Sequence, residues 1–210
     1  MHRRLLTLAL AAAAVAAPAF AQQSQPAPAQ PAATTHAANP ATVNGHRYNQ
    51  QQHIANGVQS GQLTAGETRR LENREANVNR EVRADRTANG GRLTPQERQQ
   101  INHQQSNLNH SIYNDKHNAN QAHYGNNQVG QRRANQQNRV ANGIRNGSMT
   151  PGEAARAENR QQSINRQAGA DRAANGGRLT PQEHGQINRR QNNASRQIYR
   201  EKHNGNRAPR

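Results

Sequence analysis

Ten residues of this chain occur twice. Ala88–Glu97 reads ANGGRLTPQE, and Ala174–Glu183 repeats it 86 positions later. The same offset carries Asn56-Gly57-Val58 to Asn142-Gly143-Ile144 and Ile112-Tyr113 to Ile198-Tyr199. It also carries Asp115-Lys116-His117-Asn118 to Glu201-Lys202-His203-Asn204. A shorter pattern, G-x-[LM]-T-x-x-E, starts at Gly61, Gly91, Gly147 and Gly177, so each long unit holds two copies 30 residues apart. Repetition on this scale marks a stacked supersecondary unit rather than a chain built around one reaction centre.

The apolar residues say what that unit is made of. Leu71, Val78 and Val82 follow Glu67, and Ile101, Leu108 and Ile112 follow Glu97. The second unit answers with Ala157, Ile164 and Ala168 after Glu153, then Ile187, Ala194 and Ile198 after Glu183. Steps of four, seven and four place each trio within about 40° on a helix, as a narrow seam suited to helix-on-helix packing. Strand alternation is absent. The expected fold class is therefore all-α.

The repeated motif supplies the helix starts. Thr64, Thr94, Thr150 and Thr180 are placed as N-caps, with Glu67, Glu97, Glu153 and Glu183 three residues on to close capping boxes. Pro95 and Pro181 occupy the first helical position, where a missing N–H is harmless. Gly90-Gly91 and Gly176-Gly177 end the preceding helix in a left-handed turn. This predicts two tandem units, each a short helix followed by a long antiparallel hairpin of two helices. Their expected bounds are 46–118 and 129–204, with a linker at 119–128 and a basic tail at 205–210.

Residues 1–21 read as an export signal: His2, Arg3 and Arg4, then an Ala-rich apolar run, then Ala19-Phe20-Ala21 before cleavage ahead of Gln22. The run is short for a bilayer span. The expected location is periplasmic or secreted, with no transmembrane segment after cleavage. Residues 22–45, rich in Pro, Ala and Gln, read as a disordered linker. The chain has no Cys, which rules out disulfides.

Charge limits the partners. The chain carries 28 Lys and Arg against 12 Asp and Glu, a net +16 with His neutral. Loss of the signal removes two Arg and no acid, leaving +14. Lys116 and Lys202 are the only lysines. Arginine forks suit carboxylate, phosphate and sulfate, so the expected partners are acidic macromolecules. The candidate contacts are Arg189, Arg190 and Arg196 with Tyr113, Tyr199, Lys116 and Lys202. Aliphatic side chains are few, so folding needs capping, self-association or a bound partner to offset chain entropy.

Metal and catalytic readings are weaker. G-x-L-T-x-x-E looks like the second half of an EF-hand loop, but its first half would offer Asn56, Val58 and Ser60, or Arg86, Ala88 and Gly90, where carboxylates are needed. His103, His110 and His117 recur every seven residues, about 10.5 Å apart on a helix and too far to share an ion. His117 with Asp115 and His203 with Glu201 are the remaining metal candidates. No phosphate loop, nucleophile elbow or H-E-x-x-H motif occurs. No cofactor and no enzymatic activity are expected.

The strings LTAGE (Leu63–Glu67), LTPQE (Leu93–Glu97 and Leu179–Glu183) and MTPGE (Met149–Glu153) resemble the L-T-x-x-Q hallmark of the periplasmic Spy/CpxP-type stress proteins. Here the last position is Glu instead of Gln. The resemblance implies a helical dimer whose basic face holds unfolded polypeptides. Alongside that holdase or polyanion-binding role stand two alternatives: a metal-responsive protein with degenerate EF-hand-like loops, and a structural envelope protein.

Overall fold

A computed structural model describes residues 42–208. The expected signal sequence, and the linker up to residue 41, lie outside the described residues. The described chain is all-α, with six helices: α1 (Val43–Ser60), α2 (Ala65–Ala88), α3 (Pro95–His117), α4 (Gln128–Arg145), α5 (Pro151–Ala174) and α6 (Pro181–His203). Among the described residues no helix is long and apolar enough to cross a membrane.

The four Thr/Glu pairs form reciprocal capping boxes at the starts of α2, α3, α5 and α6. At Thr64 the backbone N–H donates to Glu67 Oε2 at 2.9 Å, while the Glu67 N–H donates to Thr64 Oγ1 at 3.3 Å. Helices α1 and α4 start differently. Thr42 Oγ1 accepts from the Gly45 N–H, and Asn127 Oδ1 from the Gly130 N–H. These caps start α1 three residues ahead of the expected unit boundary at 46, and they start α4 at the last residue of the expected linker. Both helices run 18 residues.

Side-chain contacts show α3 running back along α2. Gln100 and Gln104 both donate to Glu81 near one end, and Arg74 donates to Ser111 near the other. α6 returns along α5 in the same way, with Asn175 donating to Glu183 and Arg190 to Ser163. Across the repeats, like meets like: α2 packs on α5 and α1 on α4. All twelve seam residues are buried. Ile54, Val58, Leu63, Leu71, Leu108 and Ile112 join Val140, Ile144, Met149, Ala157 and Ile198 in one apolar cluster. The face that one repeat leaves bare is thus covered by the other. That pairing within one chain supplies burial that the sparse seam of a single repeat lacks, at about 1.5–3 kcal/mol per large aliphatic side chain. Smaller clusters, Val78–Val82–Ile101 and Ile164–Ala168–Ile187–Ala194 with Val129, lie within the separate repeats.

A polar layer threads this core. Gln50, Gln105, Gln136, Gln161, Gln191, Glu72, Glu75 and Glu158 are all buried. Gln50 Nε2 donates to the Gln105 carbonyl at 2.8 Å and Gln105 Nε2 to the Val43 carbonyl at 2.9 Å. Gln136 and Gln191 repeat the pair at 2.7 and 2.9 Å. These amides tie α1 to α3 and α4 to α6, a job that aliphatics perform elsewhere in the fold.

The segments after α3 and α6 are strapped down too. The Ala122 N–H donates to the Gly61 carbonyl, and the Ala208 N–H to that of Gly147. Asn118 and Asn120 both donate to Glu67 Oε1, as Asn204 and Asn206 do to Glu153 Oε1. Two capping glutamates therefore also anchor the chain that leaves each repeat.

Candidate anion-binding groove

Helices α1 and α3 lie side by side because Gln50, Ile54, Leu108 and Ile112 face inward. The residues flanking that inward stripe then line an open groove of about 560 Å³. From α1 it receives His46 and His53, seven apart, and from α3 His110 and His117, seven apart again. Lys116 and Tyr113 complete its polar wall, and buried Ile112 its floor. The Lys116 stem crosses α1 at Gly57, where a Cβ would sit 3.3 Å from its Cγ. Among the described residues no carboxylate lines the groove. Every ionisable group in it other than Tyr113 is cationic or becomes so on protonation.

Tyr113 is held rather than loose. Its ring stacks on His117, centroids 4.1 Å apart and planes 26° from parallel. His117 Nδ1 lies 2.7 Å from the Tyr113 carbonyl, which can only accept, so the proton sits on Nδ1 and fixes the ring. Tyr199 and His203 reproduce the stack at 4.1 Å and 23°, with the same 2.7 Å contact.

The equivalent cleft between α4 and α6 differs in one systematic way. His46, His53, His103 and His110 become Arg132, Arg139, Arg189 and Arg196. The longer side chains narrow it. Arg132 bonds Asn188 and Asn192 across the gap, and Arg139 reaches the Ser195 hydroxyl at 2.5 Å and its carbonyl at 3.2 Å. What remains is a hollow of about 370 Å³ lined by Arg139, Ser195, Arg196, Tyr199 and Arg200. Burial, and then the nearby Arg139, lower the Lys202 ammonium from its ordinary value.

Of the residues singled out in the sequence, Tyr113 and Lys116 share the first groove, and Tyr199 and Arg196 share the second. Arg196 also bonds Asn193 of its own helix. Arg190 is turned away from both, donating to Ser163 of α5 at 2.8 Å. Arg189 is exposed. Of the residues suggested for metal, His117 Nδ1 is engaged by the Tyr113 carbonyl, while Asp115 faces Arg70 at 3.7 Å. Buried Glu201 faces Arg156 at 3.5 Å and Arg160 at 3.8 Å. Among the described residues no three His, Cys, Asp or Glu are grouped so as to hold a metal ion. Sequence reasoning missed His46, His53, Arg132, Arg139 and Arg200. The spacing of seven between His46 and His53, matching that of the α3 histidines, was the available signal.

No family model, curated protein or solved structure matches the chain.

Proposed function

We propose that this is a non-enzymatic, exported helical-repeat protein that binds acidic macromolecules. The observation that supports it is the pair of equivalent clefts. One is lined by histidines and a lysine with no carboxylate, the other by arginines, on a chain of net charge +16. A cleft of one charge sign concentrates ligands of the other. The holdase role implied by the Spy/CpxP-type resemblance draws support from the same cationic surfaces. The aliphatic seam is buried, and among the described residues the large apolar side chains left exposed are Tyr48, Tyr113 and Tyr199, so client capture would proceed through charge.

The test is fluorescence anisotropy of labelled polyanions against the mature chain over a salt series. Binding that weakens linearly in log–log form as salt rises is the expected result. Failure to bind an oligonucleotide, a sulfated polysaccharide and polyaspartate at low ionic strength would exclude the function.

A further inference from the structure

We propose that the α1/α3 groove is a site for single-stranded nucleic acid, one that takes full hold only when its histidines are protonated. This rests on the polyanion reading and narrows it. Two independent features of the groove carry it.

The first is the exchange of residues between the repeats. Four positions that are His in the first repeat are Arg in the second, and three of the four, His46, His53 and His110, meet in the groove. The chain keeps cationic chemistry at these sites while changing when the charge is present. Arginine is charged at every working pH, whereas imidazole ordinarily gains its charge between about pH 8 and about pH 5. The histidines are also too short to span the cleft as Arg132 and Arg139 do, and the first groove is the larger, about 560 Å³ against about 370 Å³. Among the described residues Lys116 is the one permanent charge in its wall, and neither α2 nor α4 contributes a lining residue. Protonation therefore turns an open, weakly charged groove into one with five cations.

The second feature selects the ligand. Tyr113 is 63% exposed although one face is covered by His117, and the stack fixes its ring before any ligand arrives. Proteins that take single strands without sequence preference combine a positive groove with such aromatic platforms, because every base has a π-face. An acidic polypeptide would use the charges and leave the ring idle. A duplex would keep its bases stacked on each other and out of reach.

The experiment uses the mature chain with a labelled oligothymidylate, an abasic phosphodiester of equal length, and polyaspartate. Anisotropy is measured at low salt between about pH 7.5 and about pH 5.5, the range over which imidazole takes up a proton. Oligothymidylate is expected to bind at least about tenfold tighter at the acid end, with the abasic strand and polyaspartate several-fold weaker than it there. His53→Gln with His110→Gln leaves two of the four groove histidines and cuts the acid gain severalfold. The triple change His46→Arg, His53→Arg and His110→Arg, which copies the second repeat, leaves His117 as the one histidine among the described lining residues and removes most of the pH dependence. Tyr113→Ala reduces the preference for the base-bearing strand, and Tyr113→Ala with Tyr199→Ala abolishes it. Circular dichroism confirms that each variant keeps its helices. An acid gain undiminished by the histidine changes, or polyaspartate binding as tightly as oligothymidylate, overturns this inference but leaves the polyanion reading standing. Silence toward all three probes removes both.

Discussion

Glu72 and Glu158 hold the same position in the two repeats, and both carboxyls are buried where α2 packs on α5. Each accepts from a glutamine of its own repeat's first helix: Gln51 Nε2 at 3.2 Å and Gln137 Nε2 at 2.8 Å. Burial raises the Glu72 carboxyl well above its ordinary range, and Glu75 adds to the rise by charge repulsion. Burial pushes Glu158 up to about 8. Glu75 is pushed up to about 7, with Arg47, 3.5 Å away, opposing the rise.

These shifts fix the sign of a pH effect on stability. An acid raised above its ordinary value of 4.5 keeps its proton in the folded chain after the unfolded chain has lost it. Its favourable share is complete below 4.5 and is lost as pH climbs through the folded value, about 8 for Glu158. Glu67 and Glu153 act in reverse. Burial alone would raise them, but hydrogen bonds from Thr64, Asn118 and Asn120, and from Thr150, Asn204 and Asn206, hold them below the ordinary value. Their share is lost as pH falls through those lowered values. Thermal melts should therefore show the highest Tm in mild acid, with a steady fall toward about pH 8. Glu158→Gln should flatten that fall. A Tm that rises from mild acid to pH 8 would contradict the assignment of neutral carboxyls to the core.

The capping glutamates are not equivalent, and substitution should separate them. Glu67 Oε1 accepts from Asn118 at 2.9 Å and Asn120 at 3.2 Å, and its Oε2 from the Thr64 N–H and hydroxyl. Thr94 forms an ordinary cap, with Glu97 bonded to exposed Asn89. Thr94→Ala should cost about 1 kcal/mol, the usual loss for an N-cap. Glu67→Ala removes hydrogen bonds to a buried charge and should cost about 2–3 kcal/mol. It should also release the chain after α3, visible as faster amide exchange at Ala122. Equal losses at the two sites would mean that the asparagine clasp adds nothing.

The helix starts and seams could be read from the chain because each rests on local chemistry. A threonine three residues before a glutamate, or an aliphatic every fourth and seventh residue, acts within one helix. The glutamine layer could not. Gln50 and Gln105 count as surface residues by composition, and they are buried only because each finds a carbonyl on a neighbouring helix. The groove was legible in part for the same reason. Tyr113, Lys116 and His117 lie on one helix at readable intervals, but their meeting with His46 and His53 depends on how α1 lies against α3.

Gly57 and Gly143 make a matched pair for testing how tightly the repeats are packed. After α1 the chain folds back so that the Leu63 N–H donates to the Gly57 carbonyl at 3.0 Å, and a Cβ on Gly57 would meet Leu63 at 2.7 Å. At Gly143 the added atom would meet Met149 Sδ at 2.6 Å. Methionine is unbranched and adapts to a crowded site, while leucine at this position must push into the core. Gly57→Ala should therefore lose about 1–3 kcal/mol, and Gly143→Ala less, in denaturant titrations. The opposite order would show that Leu63 has room that its burial hides.

The shared apolar cluster bears on cooperativity. Repeat arrays whose units touch only their neighbours along a line can lose units piecemeal. Here Ile54 and Val58 of the first repeat share one cluster with Val140 and Ile144 of the second, so each repeat loses the larger part of its core if the other unfolds. Urea unfolding should give one transition, superimposable whether followed by far-UV circular dichroism or by the fluorescence of a tryptophan placed at exposed Tyr199. Ile54→Ala should lower the midpoint by the equivalent of about 2–5 kcal/mol without splitting the transition. Val82→Ala sits in a cluster confined to its own repeat. It should cost less, because a smaller side chain is lost from a smaller cluster, with only Val43 and Leu93 packed against Val78, Val82 and Ile101. Two resolved transitions in the parent chain would show that each repeat folds by itself and that α2 and α5 merely dock.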